Sequence, residues 1–227
     1  MIPIKDEIPT RRFAIVNYGL ILLNVIVFVV MLMQGANLDA FVGRYALIPN
    51  QISTGLDSGD LLRVLTSMFM HGGWMHLLGN MLYLWIFGDN VEDALGHVGY
   101  LFFYLAAGFL AAFAHYFFNP QSIVPTVGAS GAIAGVLGAY LIFYPSSRVY
   151  TFIPIGFFSR LTLVPSFVVL GLWFVLQLFS GFLSIGASDQ GGVAFWAHIG
   201  GFVFGLLVGL LFKSKAQALP DYRRWRQ

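Results

Sequence analysis

Ser130, in the run Gly128-Ala129-Ser130-Gly131, and His198 each lie inside an apolar stretch of the chain. A serine hydroxyl becomes a useful nucleophile when a base takes its proton, and imidazole is the usual base. Ionisable groups at membrane depth are costly and are retained for function. Together the two residues point to hydrolysis of a peptide bond within the bilayer. Each also has a purely structural reading. Ser130 can cap or pack a helix, and His198 can make an interhelical hydrogen bond.

Another apolar stretch adds His71, His76 and Asn80. His76 and Asn80 are four apart and share a helix face. Both can donate hydrogen bonds to a developing oxyanion. His71 falls off that face and reads as a structural loop residue. A zinc site of the H-E-x-x-H kind needs a glutamate that Gly72-Gly73-Trp74-Met75 does not supply. His97 and His115 stand at segment ends with no assigned chemistry. Gln177 reads as a polar link between helices. Asp89, Glu92 and Asp93 look like helix-end structure, on the wrong side to orient His198. Asp189 is on the right side but in a Gly-rich loop. With no cysteine in the chain, disulfides, thiolate metal sites and a cysteine nucleophile are excluded. No motif calls for a cofactor, a nucleotide, a metal or nucleic acid.

The elements that must position these residues follow from composition. Of 227 residues, 58% are hydrophobic and 10% charged, with a mean hydropathy of +0.79. Soluble domains carry roughly 25% charged residues, so this is an integral membrane protein. The first apolar run is too long for a signal-peptide core. Apolar segments predict six spans, at 14–34, 74–89, 98–118, 127–144, 161–185 and 193–212, in one all-α bundle. The chain reads as a single membrane domain over 1–227, with a short N-terminal segment 1–13 and a basic tail 213–227 that would rest on anionic headgroups. Lys5, Arg11, Arg12, Arg148, Arg160, Lys213, Lys215, Arg223, Arg224 and Arg226 fall on one side, and Arg44 and Arg63 on the other. The asymmetry predicts cytoplasmic termini. The long outer connection, 35–73, cannot span. Its apolar end, 61–70, reads either as a short interfacial helix or as a packed loop.

Pro145 should stop the fourth span. A helix over 130–144 is about 22 Å long, against a hydrocarbon core of about 30 Å. Ser130 would then sit just below the outer surface, at a helix N-terminus whose free N–H groups favour developing negative charge. Gly131 and Gly135 on this helix, and Gly201, Gly205 and Gly209 on the sixth, repeat at four-residue spacing. Small faces of this kind let membrane helices cross closely, which would bring His198 to Ser130.

These motifs closely resemble the rhomboid intramembrane serine proteases. The likeness runs from Leu62 to about Phe212. It rests on His71-Gly-Gly-Trp-Met-His76-Leu-Leu-Gly-Asn80, on Gly128-Ala-Ser130-Gly131, and on Ala197-His198-Ile-Gly-Gly201-Phe-Val-Phe-Gly205, in that order. The resemblance implies the basic six-helix form of prokaryotic type. It implies a Ser–His dyad with no catalytic aspartate, in which Ser130 is the nucleophile and His198 the general base and then acid. The Ser130 N–H, Asn80 and His76 would form the oxyanion hole, and Glu92 matches a structural glutamate. Two positions depart from the family pattern. Leu62-Arg63 stands where many relatives have Trp-Arg, which concerns loop packing. Ala134 stands where some relatives stack a tyrosine on the histidine, so the ring must be steadied otherwise.

The expected activity is that of a serine endopeptidase cutting single-span membrane proteins in or near their transmembrane segments. The expected location is a prokaryotic inner membrane, with the site facing the extracytoplasmic side. The alternative is a catalytically silent relative that binds client helices. A small transporter is a third reading, but the chain shows no inverted repeat and no intramembrane carboxylate suited to ion coupling. Oligomeric state, substrate and cleavage sequence are not encoded in any motif.

Overall fold

The computed structural model describes residues 1–52, 57–155, 158–184 and 194–217. Along them run β1 (Ile2–Asp6), α1 (Ile15–Leu32), α2 (Leu38–Tyr45), α3 (Ser58–Ser67), α4 (Trp74–Leu95), α5 (His97–Phe118), α6 (Ser130–Phe143), β2 (Arg148–Ile155), β3 (Phe158–Pro165), α7 (Ser166–Ser184) and α8 (Phe195–Gln217). Each of the six apolar segments read from the sequence contains a helix: α1 and α4 to α8. By length and composition α1, α5, α7 and α8 can cross a membrane, and α6 is a shorter apolar helix. Large apolar side chains are exposed along the outside of the bundle, among them Val29, Phe113, Phe179 and Leu211. Such a surface is stable only against lipid. The chain is a multi-pass integral membrane protein.

Helix α6 is the axis of the fold. Gly131 through Tyr140 are all buried, and α4, α5, α7 and α8 pack around them. At 1.5 Å per residue its 14 residues span about 21 Å. Its crossing with α8 is built from glycine. A Cβ on Gly201 would strike the Gly131 carbonyl oxygen, and one on Gly205 the Gly135 carbonyl oxygen. The α-carbons of Gly131 and Gly135 themselves face α5, where a Cβ would come within 2.6 Å of Ala111 and Ala107 respectively. Gly138, in the next turn, faces the Phe202 carbonyl on α8.

Two expectations are corrected. The fold is mostly helical but not all-α, because β1, β2 and β3 form an antiparallel sheet in that order. Ile2 pairs with Phe152 and Asp6 with Val149, while Arg148 pairs with Pro165. The apolar run beginning at Leu161 is therefore strand first, and helix α7 starts only at Ser166. Leu161-Thr-Leu-Val alternates like a strand but merges in hydropathy with the helix that follows. The N-terminal segment is tied into the fold through this sheet and through Asp6. Asp6 is buried, and its Oδ2 accepts from Tyr140 Oη at 2.6 Å and Asn90 Nδ2 at 3.2 Å.

The connection 35–73 folds as two helices, α2 and α3. The latter lies a few residues before the expected 61–70. Its start is sealed by Asp57 and Asp60, each side chain accepting from the other's backbone N–H at 2.9 and 3.2 Å. Arg63 Nη1 donates to Gln51 Oε1 at 2.9 Å, which is how the Leu62-Arg63 variant of this loop is packed. Glu92 holds the opposite end. Its carboxylate accepts the Val16 and Asn17 N–H groups at 3.0 and 2.7 Å, capping α1, which has no side-chain cap of its own. The basic tail begins inside α8, and residues 218–227 lie outside the described residues, as does Asp189.

Candidate active site

Ser130 is the first residue of α6, in the turn whose backbone N–H groups have no partner within the helix. The approach to it is set by Gly128, whose φ is +134°, a region that strains any residue with a Cβ. The Gly128 N–H donates to the Ser67 carbonyl at 2.9 Å. Leu47 and Thr126 exchange backbone hydrogen bonds at 2.7 and 3.3 Å. The connection between α1 and α4 thereby pins the chain that feeds α6.

His198 sits in the first turn of α8 and is 8% exposed. Its Nε2 lies 2.7 Å from Ser130 Oγ. The glycine crossing described above is what makes that distance possible, since side chains at Gly201 or Gly205 would hold the helices apart. The other ring nitrogen, Nδ1, lies 2.7 Å from Gln177 Oε1 on α7. The Trp173 ring, one turn earlier on α7, packs at 5.7 Å and 36° to the imidazole. Trp173 and Gln177 are thus the neighbours that steady His198 where position 134 is alanine. Sequence reasoning assigned Gln177 only to linking helices and did not single out Trp173. Their four-residue spacing on one helix face was the available signal.

His76 projects from the start of α4 toward the same place. A Cβ on Gly128 would fall 2.8 Å from its Cε1 and Nε2 and 3.6 Å from Ser130 Oγ, so the two side chains flank one space over Gly128. The Gly72 N–H donates to His76 Nδ1 at 3.4 Å, a long bond that favours the proton on Nε2. Asn80 is buried one turn further along α4, and its Nδ2 donates to His71 Nε2 at 3.0 Å. His71 is therefore a supporting residue in the turn before α4, as the sequence placed it, with a specific task of holding the Asn80 amide. Burial, and then neighbouring His76, push the His71 pKa down to about 4, so its ring is neutral at pH 7 and keeps a lone pair for that bond.

The remaining candidates lie elsewhere. His115 Nε2 is 3.0 Å from Thr126 Oγ1, in the loop leading to α6. His97 Nδ1 pairs with Glu92 at the far end of α4. Asp93 bonds Arg11, and Asp89 bonds its neighbour Asn90. A serine at a helix N-terminus, with one imidazole in hydrogen-bond reach and a second flanking the same space, has parts that acyl transfer can use.

Comparison with known proteins points to one family. The family profile described as the Rhomboid domain matches residues 58–215. Rhomboid protease GluP of Bacillus subtilis is 36% identical over 162 residues, covering 71% of this chain and 27% of GluP. Rhomboid protein 1, mitochondrial, of Saccharomyces cerevisiae is 30% identical over 212 residues, covering 91% of this chain and 56% of that protein. RHOMBOID-like protein 1 of Arabidopsis thaliana is 31% identical over 166 residues, 73% of this chain and 38% of its own. The chain thus spans between about a quarter and just over half of these relatives' length. With the family profile covering most of the helical bundle and three motifs of the family meeting at one site, the chain belongs to the rhomboid family.

Proposed function

We propose that the chain is an intramembrane serine endopeptidase whose nucleophile is Ser130 and whose general base is His198. The observation that carries this is the 2.7 Å approach of His198 Nε2 to Ser130 Oγ, at a helix N-terminus within a lipid-facing bundle. In the first half-reaction, His198 Nε2 takes the Ser130 hydroxyl proton as Oγ attacks the substrate carbonyl carbon. The oxyanion is met by the Ser130 N–H, with His76 and Asn80 as further donors. The C–N bond then breaks, and His198 returns its proton to the leaving amine. Water repeats the sequence on the acyl-enzyme and restores Ser130.

The chain crosses the membrane six times in this reading, with α4 and α6 completing the set, and both termini are cytoplasmic. The Ser130 end of α6 then faces the extracytoplasmic side. Substrates are single-span membrane proteins, cut where the helix can unwind, because a helical amide in lipid is already hydrogen-bonded. No cofactor enters the reaction.

The test is cleavage of a single-span protein with a glycine or proline in its helix, by purified wild type, Ser130→Ala and His198→Ala. Products are identified by mass. Cleavage by the wild type alone is expected. If none of the three cleaves any of several substrates, the client-binding alternative gains. If cleavage survives Ser130→Ala, the assignment is wrong.

A further inference from the structure

We propose that Gln177 completes the site as a positioning residue, making a Ser130–His198–Gln177 array in which a neutral amide orients the ring as a carboxylate does in a Ser–His–Asp triad. The inference rests on the protease reading above and extends it to the proton inventory of the imidazole.

A base for Ser130 must present a lone pair at Nε2, so its proton must be on Nδ1. Something has to hold the ring in that tautomer. Among the described residues the hydrogen-bond partner of Nδ1 is Gln177, whose Oε1 lies 2.7 Å away. An amide oxygen has no proton to give, so this bond requires Nδ1–H. Nε2 is thereby left as the acceptor, at 2.7 Å from Ser130 Oγ. The opposite tautomer would set Nε2–H against the serine and a lone pair against the amide oxygen. The bond also persists when the ring is protonated, since Nδ1–H is then still present. Gln177 therefore orients the ring in both states and never exchanges a proton.

Placement supports the role. Gln177 is partly buried on α7, a helix most of whose large side chains face outward, so a polar group there needs a reason. Trp173 lies one turn away on the same face and walls the imidazole. Helix α7 so supplies both the hydrogen bond and the ring contact to a histidine carried by α8. The titratable groups acting on the ring from other helices are His76 of α4 and His115 of α5. None of these, nor Ser130, is a carboxylate. A neutral orienting group leaves the protonated ring without a counter-charge, which distinguishes this arrangement from an aspartate triad.

The experiment compares Gln177→Leu and Gln177→Glu with wild type in cleavage of the same single-span protein, resolving kcat from KM and recording kcat/KM against pH. Labelling of Ser130 by a fluorophosphonate gives a second rate that needs no protein substrate. Gln177→Leu is expected to lower kcat and the labelling rate by roughly 10- to 100-fold with KM little changed. That is less than the about 10,000-fold lost when the aspartate of a serine-protease triad is replaced by asparagine. Gln177→Glu keeps an acceptor at Nδ1 and adds charge. It is expected to lose less than Gln177→Leu at its pH optimum and to move the acidic limb of the pH profile upward by about 1 unit or more, because the charge stabilises a protonated ring that cannot accept the serine's proton. Wild-type kcat and labelling in Gln177→Leu, with an unmoved profile in Gln177→Glu, would overturn the proposal. Should Gln177→Leu fail to fold, the profile of Gln177→Glu decides alone. Loss of Ser130-dependent labelling in the wild type would instead count against the protease reading itself.

Discussion

At the residue scale, the two side chains proposed as oxyanion donors, His76 and Asn80, differ in how they are held. Asn80 is buried and has one amide hydrogen committed to His71, leaving the other for an oxyanion. Asn80→Ala is expected to lower kcat by roughly 10- to 1,000-fold with KM nearly unchanged, as for other oxyanion donors. His71→Ala should lower kcat by less, since it removes the support and leaves the donor. The two should be strongly non-additive, because His71 has nothing to hold once Asn80 is gone. A double-mutant cycle on kcat checks this. Additive losses would separate His71 from Asn80 and give it a role of its own.

At the scale of the elements, the distance between Ser130 and His198 is set by backbone contact between α6 and α8. Gly201→Ala places a methyl against the Gly131 carbonyl, which sits beside Ser130. The helices must part, and a misplacement of about 1 Å at reacting groups can cost about 100-fold in rate. Gly201→Ala is therefore expected to lose at least that much activity while remaining helical by circular dichroism. Gly171→Ala on α7 meets nothing within 4 Å and should keep wild-type activity, which makes it the matched control. Equal activities in the two variants would remove the crossing from the mechanism.

The strand β1 offers a second prediction at this scale. Burial, and then the charge of Asp89, raise the Asp6 pKa to about 7 from 3.8, against the lowering effect of its Tyr140 hydrogen bond. Between those values the folded state holds a proton that the unfolded chain releases. Stability contributed here is complete below pH 3.8 and falls as pH rises through about 7. Asp6→Asn keeps an oxygen for Tyr140 and Asn90 but carries no charge. At pH 8 it should be more stable than wild type by on the order of 1–4 kcal/mol, and at roughly pH 3, where both side chains are uncharged, nearly equal. Thermal unfolding at the two pH values tests this. A wild type more stable at pH 8 would mean that the ionised carboxylate is favoured in the fold.

For the whole molecule, orientation is the testable property. The chain has no cysteine, so a single introduced thiol reports one position. Asn50 lies in the connection between α2 and α3, Ser146 follows the far end of α6, and both are exposed. With cytoplasmic termini, Asn50→Cys in intact cells should react with a membrane-impermeant maleimide, and Ser146→Cys only after permeabilisation. The reverse pattern would invert the topology and place the Ser130 end of α6 on the cytoplasmic side.

Much of this molecule is written locally. Hydropathy alone marks α1, α5, α7 and α8, because burying about 20 apolar residues in lipid leaves few other choices. The helix start at Ser130 follows from the Gly128 and Pro125 before it, and the α6–α8 crossing from glycines repeated every four residues. Ser130, His198, His76 and Asn80 are conspicuous because polar groups in lipid are rare. The sheet was not legible, since its strands are short, amphipathic and continuous in hydropathy with α7, and β1 pairs with β2 across more than a hundred residues of sequence. Nor could the sequence assign the atoms around His198. Which side of the ring meets serine, that Trp173 replaces a stacking partner at position 134, and that Gln177 faces Nδ1 depend on the rotation and depth of three helices. Those are decided by close packing of all the elements at once, and no local pattern specifies them.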